Sequence, residues 1–96
     1  MPKISIIIPT INEANNLPLL LSDLSVISKV GEIIIVDSGS EDRTIDVANI
    51  YGAKVIKSNE RNRGLQLGMG ANNSKGEWFI FLHADTRLTH DWFTQI

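Results

Sequence analysis

Ile33-Ile34-Ile35-Val36 running straight into Asp37-Ser38-Gly39-Ser40 is the segment that carries the architecture. Its apolar residues are β-branched and continuous instead of alternating, the pattern of a strand covered on both faces in a parallel sheet between layers of helix. The acid and glycine turn that follow mark the strand's carboxyl end. Outward from it, Lys3 to Ile8, Glu32 to Val36, Lys54 to Lys57 and Glu77 to Leu82 read as strands. Trp78-Phe79-Ile80-Phe81-Leu82 is as continuously apolar as Ile33 to Val36, so these two runs are expected at the centre of the sheet. Trp78, Phe79 and Phe81 are accordingly read as core, and Pro9 as the end of pairing for the first strand.

Helical spacing fills the intervals. Leu17, Leu20, Leu21, Leu24 and Ile27 make one stripe, announced by Asn15-Asn16. Val47, Ala48, Ile50 and Tyr51 make a second, with Ser40 as candidate N-cap and Gly52 as candidate C-cap. A third helix is expected over about Gly64 to Ser74. There Gly68, Gly70 and Ala71 lower the propensity but permit close approach to the sheet, and Gly76 is placed to stop the helix. A fourth is expected after Thr89, with Trp92, Phe93 and Ile96 as its apolar positions. The βαβαβαβ alternation, with right-handed crossovers, predicts an α/β fold over residues 1–96 as a single domain: an open parallel-stranded Rossmann-like sheet with flanking helices.

Composition bounds the function. With 96 residues, 43% hydrophobic and 21% charged, the chain suits one small globular core and leaves no room for a large second lobe. The absence of cysteine excludes a disulfide scaffold, a thiol nucleophile and thiolate metal sites, and agrees with a cytoplasmic location. A net charge of −2 gives no general field for nucleic acid or anionic lipid, so no nucleic-acid partner is expected. The run Ile4 to Ile8 is far below the ~20 apolar residues of a membrane span, and no signal-peptide pattern is present; membrane association is not indicated.

In open parallel sheets ligands bind beyond the carboxyl ends of the strands, so the chemistry is sought at the exits. The first reads Pro9-Thr10-Ile11-Asn12-Glu13, where an amide and a carboxylate suit a base edge or ribose hydroxyl, or else cap the following helix. At the second, Asp37 is placed to accept hydrogen bonds from a ribose or base, or to hold its own turn; Asp42 and Arg43 read as turn and surface residues. At the third, Arg61, Arg63 and Gly64 stand ahead of a helix N-terminus, a setting for a diphosphate or simply an exposed basic loop. At the fourth, His83-Ala84-Asp85 follows an extended run, so alternation sets His83 and Asp85 on one side, able to address a cation or to stabilise a turn. Neither G-x-G-x-x-G nor G-x-x-x-x-G-K-[ST] occurs, which disfavours dinucleotide enzymes and P-loop NTPases.

Taken in order, Ser5 to Glu13, Glu32 to Ser40, Arg63-Gly64-Leu65-Gln66 and Gly76 to Asp85 resemble the nucleotide-sugar-binding half of family 2 glycosyltransferases, the N-terminal part of a GT-A fold. The resemblance covers nearly the whole chain. It implies a nucleoside diphosphate sugar as donor, bound by Pro9, Thr10, Asn12, Glu13, Asp37, Ser38, Arg63, Gly64, His83, Ala84 and Asp85. It further implies a divalent cation, manganese or magnesium, on Asp85 and His83, and transfer with inversion to an acceptor the sequence does not name. His83 stands where the family's usual D-x-D has an acid. The family's acceptor site and candidate general base lie beyond this motif. Asp91 is the only later acid and is unconvincing as a base, so the catalytic residue is unassigned and the chain is expected to bind donor without completing catalysis alone. The alternative is a non-enzymatic nucleotide-binding or assembly module, whose sheet edge and Trp92-Phe93 surface are covered by another copy or a partner.

Overall fold

The computed structural model describes residues 3–89. The elements alternate as read: β1 (Ile4–Thr10), α1 (Leu17–Ser25), β2 (Val30–Asp37), α2 (Thr44–Ile50), β3 (Lys54–Lys57), α3 (Arg63–Asn72) and β4 (Trp78–Phe81). All strands are parallel, in the order β3-β2-β1-β4. The expected fourth helix, with His90, Asp91, Trp92, Phe93 and Ile96, lies outside the described residues.

Alternation in β1 and β2 divides the core into two layers. Ile4, Ile6, Ile8 and Ile35 meet Leu17, Leu20, Leu21 and Leu24 of α1 and Ala48 of α2. Burial of each such leucine contributes about 1.5–3 kcal/mol, so this stripe alone fixes α1 on the sheet. On the opposite face Ile7, Ile34 and Val36 pack under Leu67, Met69 and Ala71 of α3. Gly70 lets α3 come down: a Cβ there would overlap the Cγ2 methyl of Ile7 and stand 3.2 Å from that of Val36.

Three expectations change. The centre of the sheet is β1 with β2, not β2 with β4. Every residue of β1 is buried, whereas Trp78, Phe79 and Phe81 are 61%, 48% and 48% exposed and are not core. β4 is an edge of the described sheet, and a continuous apolar run there reflects uncovered side chains rather than two covered faces. Pro9 ends pairing on one side only: β1 matches β4 up to Ile7 with Phe81, but matches β2 as far as Thr10 with Asp37. In a parallel ladder successive residues address alternate neighbours. Since Leu82 N–H donates to the Ile7 carbonyl and Ser38 N–H to that of Thr10, the missing N–H of Pro9 falls on the β4 side, beyond the last β4 pair.

The helix boundaries also move. Ser40 does not cap α2, which starts at Thr44, while Gly52, at φ 77°, follows its last turn as expected. α3 ends at Asn72 with Asn73 as C-cap, so Gly76 is not its stop. Gly76 is instead a close approach, where a Cβ would meet the Ser5 hydroxyl and stand 2.8 Å from the Ser5 nitrogen.

Candidate functional site

β1 leads through α1 to β2 on one side of it, whereas β3 leads through α3 to β4 on the other. The strand order therefore reverses between β1 and β4, the place where open parallel sheets carry a ligand crevice beyond the carboxyl ends of their strands. The exits of β1 and β4 and the start of α3 border it.

The β1 and β2 exits are knitted together. Asp37 is fully buried, and its carboxylate accepts hydrogen bonds from Thr10 Oγ1 (2.7 Å), Ser40 Oγ, Gly39 N–H (3.1 Å) and Ser40 N–H (2.8 Å). Ser40 Oγ in turn accepts from Asn12 N–H at 2.8 Å. Asn12, in the left-handed region at φ 53°, accepts at Oδ1 from Glu41 N–H (2.7 Å) and Asp42 N–H (3.3 Å). Glu13 N–H donates to Thr44 Oγ1 at 2.8 Å and Ala14 N–H to Asp42 Oδ2 at 3.1 Å. Of the two sequence readings of Asp37, turn-holding is the one its hydrogen bonds build. Ser38 donates to the Glu60 carbonyl at 2.9 Å, joining the β3 exit to the same lattice.

Across the crevice, α3 starts from Asn62, whose Oδ1 accepts from Leu65 N–H at 3.0 Å. This cap leaves Arg63 exposed on the first turn, where Nη1 stands 2.5 Å from Nδ1 and 3.2 Å from Nε2 of His83. A guanidinium only donates, so the ring presents an acceptor nitrogen to it. Arg63 and His83 are thus brought together, while Gly64 is exposed beside them. The alternation argument for His83 and Asp85 does not hold: β4 stops at Phe81, and residues 83–86 form a turn closed by Thr86 N–H on the His83 carbonyl at 3.0 Å. Within it Ala84 is buried in the core, and Asp85 is exposed with no side-chain partner among the described residues.

Asn12, Arg63, Gly64, His83 and Asp85 are therefore the exposed members of the proposed set, whereas Pro9, Thr10, Asp37, Ser38 and Ala84 are buried and shape it from behind. No group of three or more metal-ligating side chains occurs among the described residues. Asp85 alone still fits magnesium or manganese, which bind through one or two carboxylates plus substrate phosphates. A pocket of about 250 Å³ lies away from this crevice, at the amino ends of the strands, lined by Lys3, Ser5, Gly31, Glu32, Lys75 and Gly76. In it Glu32 accepts from Ser5 Oγ at 2.7 Å and from Lys75 N–H, and Ser5 Oγ accepts from Gly76 N–H at 2.9 Å.

Sequence reasoning missed Thr44 and Asn62 as organisers, and it placed Ser40 and Asp42 as cap and turn residues without their long-range partners. The local signal was present in Asn62 three residues before Leu65 and in Asp42-Arg43-Thr44, an Asx turn in which Thr44 N–H donates to Asp42 Oδ1 at 2.9 Å. Hydrogen bonds hold the Asp42 carboxyl below its ordinary 3.8, that from the Thr44 hydroxyl most of all. Asp23 is lowered from 3.8 by Arg87 first and then by Leu88 N–H. For Glu32 burial pushes upward most strongly, but donors from Lys75, Ser5 and Gly76 and the charge of Lys54 together bring it below 4.5. A carboxyl whose pKa is depressed in the folded state contributes stability that is complete above its unfolded value and lost as pH falls through the folded one. The urea midpoint is thus expected to hold steady from neutral pH to about 5 and to drop below about 4.5, with Glu32→Gln flattening part of the drop.

The geometry defines an α/β domain whose topological switch point is bordered by a basic helix start and an exposed carboxylate. The chain belongs to glycosyl transferase family 2, whose family model matches residues 5–96. It is 38% identical over 95 residues to the PGL/p-HBAD biosynthesis glycosyltransferase of Mycobacterium bovis, a match covering 91% of this chain and 37% of that protein. The fold is similar to that of Staphylococcus aureus TarS 1-349, with a TM-score of 0.85 at 24% identity over 97% of this chain and 30% of that one. It is also similar to glucosyl-3-phosphoglycerate synthase from Mycobacterium tuberculosis in complex with Mn2+, uridine diphosphate and phosphoglyceric acid. There the TM-score is 0.77 at 26% identity, over 98% of this chain and 37% of that one. The chain thus spans little more than a third of the mycobacterial relative's length. No helix among the described residues is long and apolar enough to cross a membrane.

Proposed function

We propose that the crevice binds a nucleoside diphosphate sugar, the donor of a glycosyl transfer, together with magnesium or manganese. The observation that carries this reading is the meeting of Arg63, at the start of α3, with His83 beside the open carboxylate of Asp85, at the strand-order reversal. Arginine forks and a helix N-terminus favour a diphosphate, and the synthase's complex with Mn2+ and uridine diphosphate supports that class of ligand.

In this reading Asn12 and Glu13, on the loop knitted to β2, face the nucleoside, and Asp37 acts by fixing that loop. Arg63 moves from the His83 ring toward the diphosphate and offsets its charge, and Asp85 holds the cation. When bound, the cation supplies charge neutralisation on the departing nucleoside diphosphate. Attack by an acceptor hydroxyl on the anomeric carbon, with inversion, requires a general base that the described residues do not provide. We assign to this chain donor binding, with the acceptor unnamed and catalysis incomplete without further polypeptide.

The test is calorimetric titration of uridine and guanosine diphosphates, with and without Mn2+. One of them is expected to bind at least about tenfold more tightly with the metal, and Asp85→Ala to lose that increment, worth about 1.4 kcal/mol per factor of ten. The exposed Trp78, Phe79 and Phe81 favour a second reading, assembly through the β4 edge. Concentration-dependent association without nucleotide binding in any condition would favour that module instead.

A further inference from the structure

Asp23 carries a charge of the wrong sign for its place. It lies in the last turn of α1, at the negative end of the helix dipole, in a turn with no basic residue to compensate. Its partners come from far along the chain: Arg87 Nε donates to Oδ2 at 2.9 Å, Arg87 Nη2 to Oδ1 at 3.2 Å, and Leu88 N–H to Oδ2 at 3.0 Å. The Asp23 side chain is 17% exposed and that of Arg87 60%, so the carboxylate is the sheltered partner.

This clamp closes just after the Asp85 turn. Before the turn the chain is anchored by Leu82 N–H on the Ile7 carbonyl at 3.0 Å, and inside it by the buried Ala84. After it, the anchors are Asp23 with Arg87 and Leu88, and the packing of Leu88 on the α1 face of the core. Asp85 itself has no side-chain partner among the described residues, so its direction depends on the backbone at these two ends.

We infer that Asp23 is a positioning residue for the donor site, fixing the segment after the 83–86 turn so that the Asp85 carboxylate is held toward the crevice. The inference rests on the donor-binding reading. Asp23 touches neither nucleotide nor cation; it supplies an acceptor from α1 that removes the freedom of the turn's downstream end. Supporting residues of this kind alter metal affinity when removed even though they are not ligands.

The experiment is uridine diphosphate titration of the 96-residue chain, with and without Mn2+, for wild type, Asp23→Ala, Asp23→Asn, Arg87→Ala and Asp85→Ala. In Asp23→Ala the metal-linked gain in affinity is expected to shrink about tenfold while metal-free binding changes less than about twofold. Asp23→Asn, which keeps an acceptor for Leu88 N–H, is expected to recover part of the gain. Arg87→Ala, a change at an exposed side chain, is expected to lose part of it and provides the readout should Asp23→Ala fail to fold. An undiminished metal-linked gain in Asp23→Ala, or in Arg87→Ala where only that variant folds, overturns the inference and leaves donor binding standing if Asp85→Ala loses the gain. Equal weakening with and without metal also overturns it, because a general structural role acts on both. If wild type shows metal-linked binding of neither uridine diphosphate nor, titrated in the same way, guanosine diphosphate, the donor reading falls and the inference with it.

Discussion

Asp37→Ala is expected to destabilise the chain by about 3 to 5 kcal/mol and to abolish nucleotide binding, whereas Asp37→Asn is expected to cost only about 1 to 2 kcal/mol. The alanine variant leaves the buried Thr10 donor and the partly buried Gly39 and Ser40 donors without their acceptor, a fully buried bond costing about 1 to 3 kcal/mol when unmade and the others less. Against a total stability of about 5 to 15 kcal/mol for a domain of this kind, that is a large fraction. The amide of asparagine can turn its oxygen to the Gly39 and Ser40 N–H groups and its NH2 to the two hydroxyls. Those hydroxyls must then accept and redirect their own protons, hence a smaller cost. Urea unfolding reads the stabilities. Equal costs for the two variants would mean that the acceptor geometry at Asp37 is not what holds the turn.

The effect on binding follows from the same bonds. Ser40 is held by Asp37 and itself accepts from Asn12 N–H, so losing Asp37 releases both exits at once. On the donor-binding reading, Asp37 is thus expected to act on the ligand through two loops. In Asp37→Asn, nucleotide affinity is expected to fall by less than about tenfold, since the lattice survives with altered polarity.

Which features were legible follows from how far apart their causes lie in the chain. Element types and order could be read because β-branched runs and leucine spacing are local; for the same reason Asp42 was read as a turn residue and Asn62 could have been read as a cap. The sheet's centre could not. Ser5, Pro9 and Thr10 make β1 look less apolar than β4, but Ser5 donates to Glu32 and accepts from Gly76 N–H, and Thr10 donates to Asp37. Such pairings make polar residues compatible with burial, and nothing near them in sequence announces it. Asp23 is the extreme case, since its partners at positions 87 and 88 are reached only once α1 and the segment after β4 are packed on the same core. For the site, the exits were legible as positions, but the engagement of each side chain was not: Asp37 was read as open to a ligand or closed on its turn, and only packing decides between them.

Gly70→Val is expected to cost about 3 kcal/mol or more, and Gly70→Ala about 1 to 2, although alanine is the better helix former by about 1 kcal/mol. The Cβ of either residue meets Ile7 Cγ2, a methyl fully buried in the central strand on a stiff β-branched side chain that has no free rotamer to retreat into. The helix must lift instead. One turn earlier Gln66 Nε2 donates to the Val36 carbonyl at 2.9 Å, a buried bond that lifting would stretch, and one turn before that Arg63 reaches His83. On the donor-binding reading, overpacking at Gly70 is therefore expected to weaken nucleotide binding as well as folding. The cause is tested by removing the obstacle. In an Ile7→Ala background, itself destabilised by about 2 to 5 kcal/mol, Gly70→Ala is expected to become neutral or stabilising, because the clash is gone and the helix propensity remains. Urea unfolding of the four chains gives the coupling. Strict additivity would mean that contact with Ile7 is not why glycine stands at position 70.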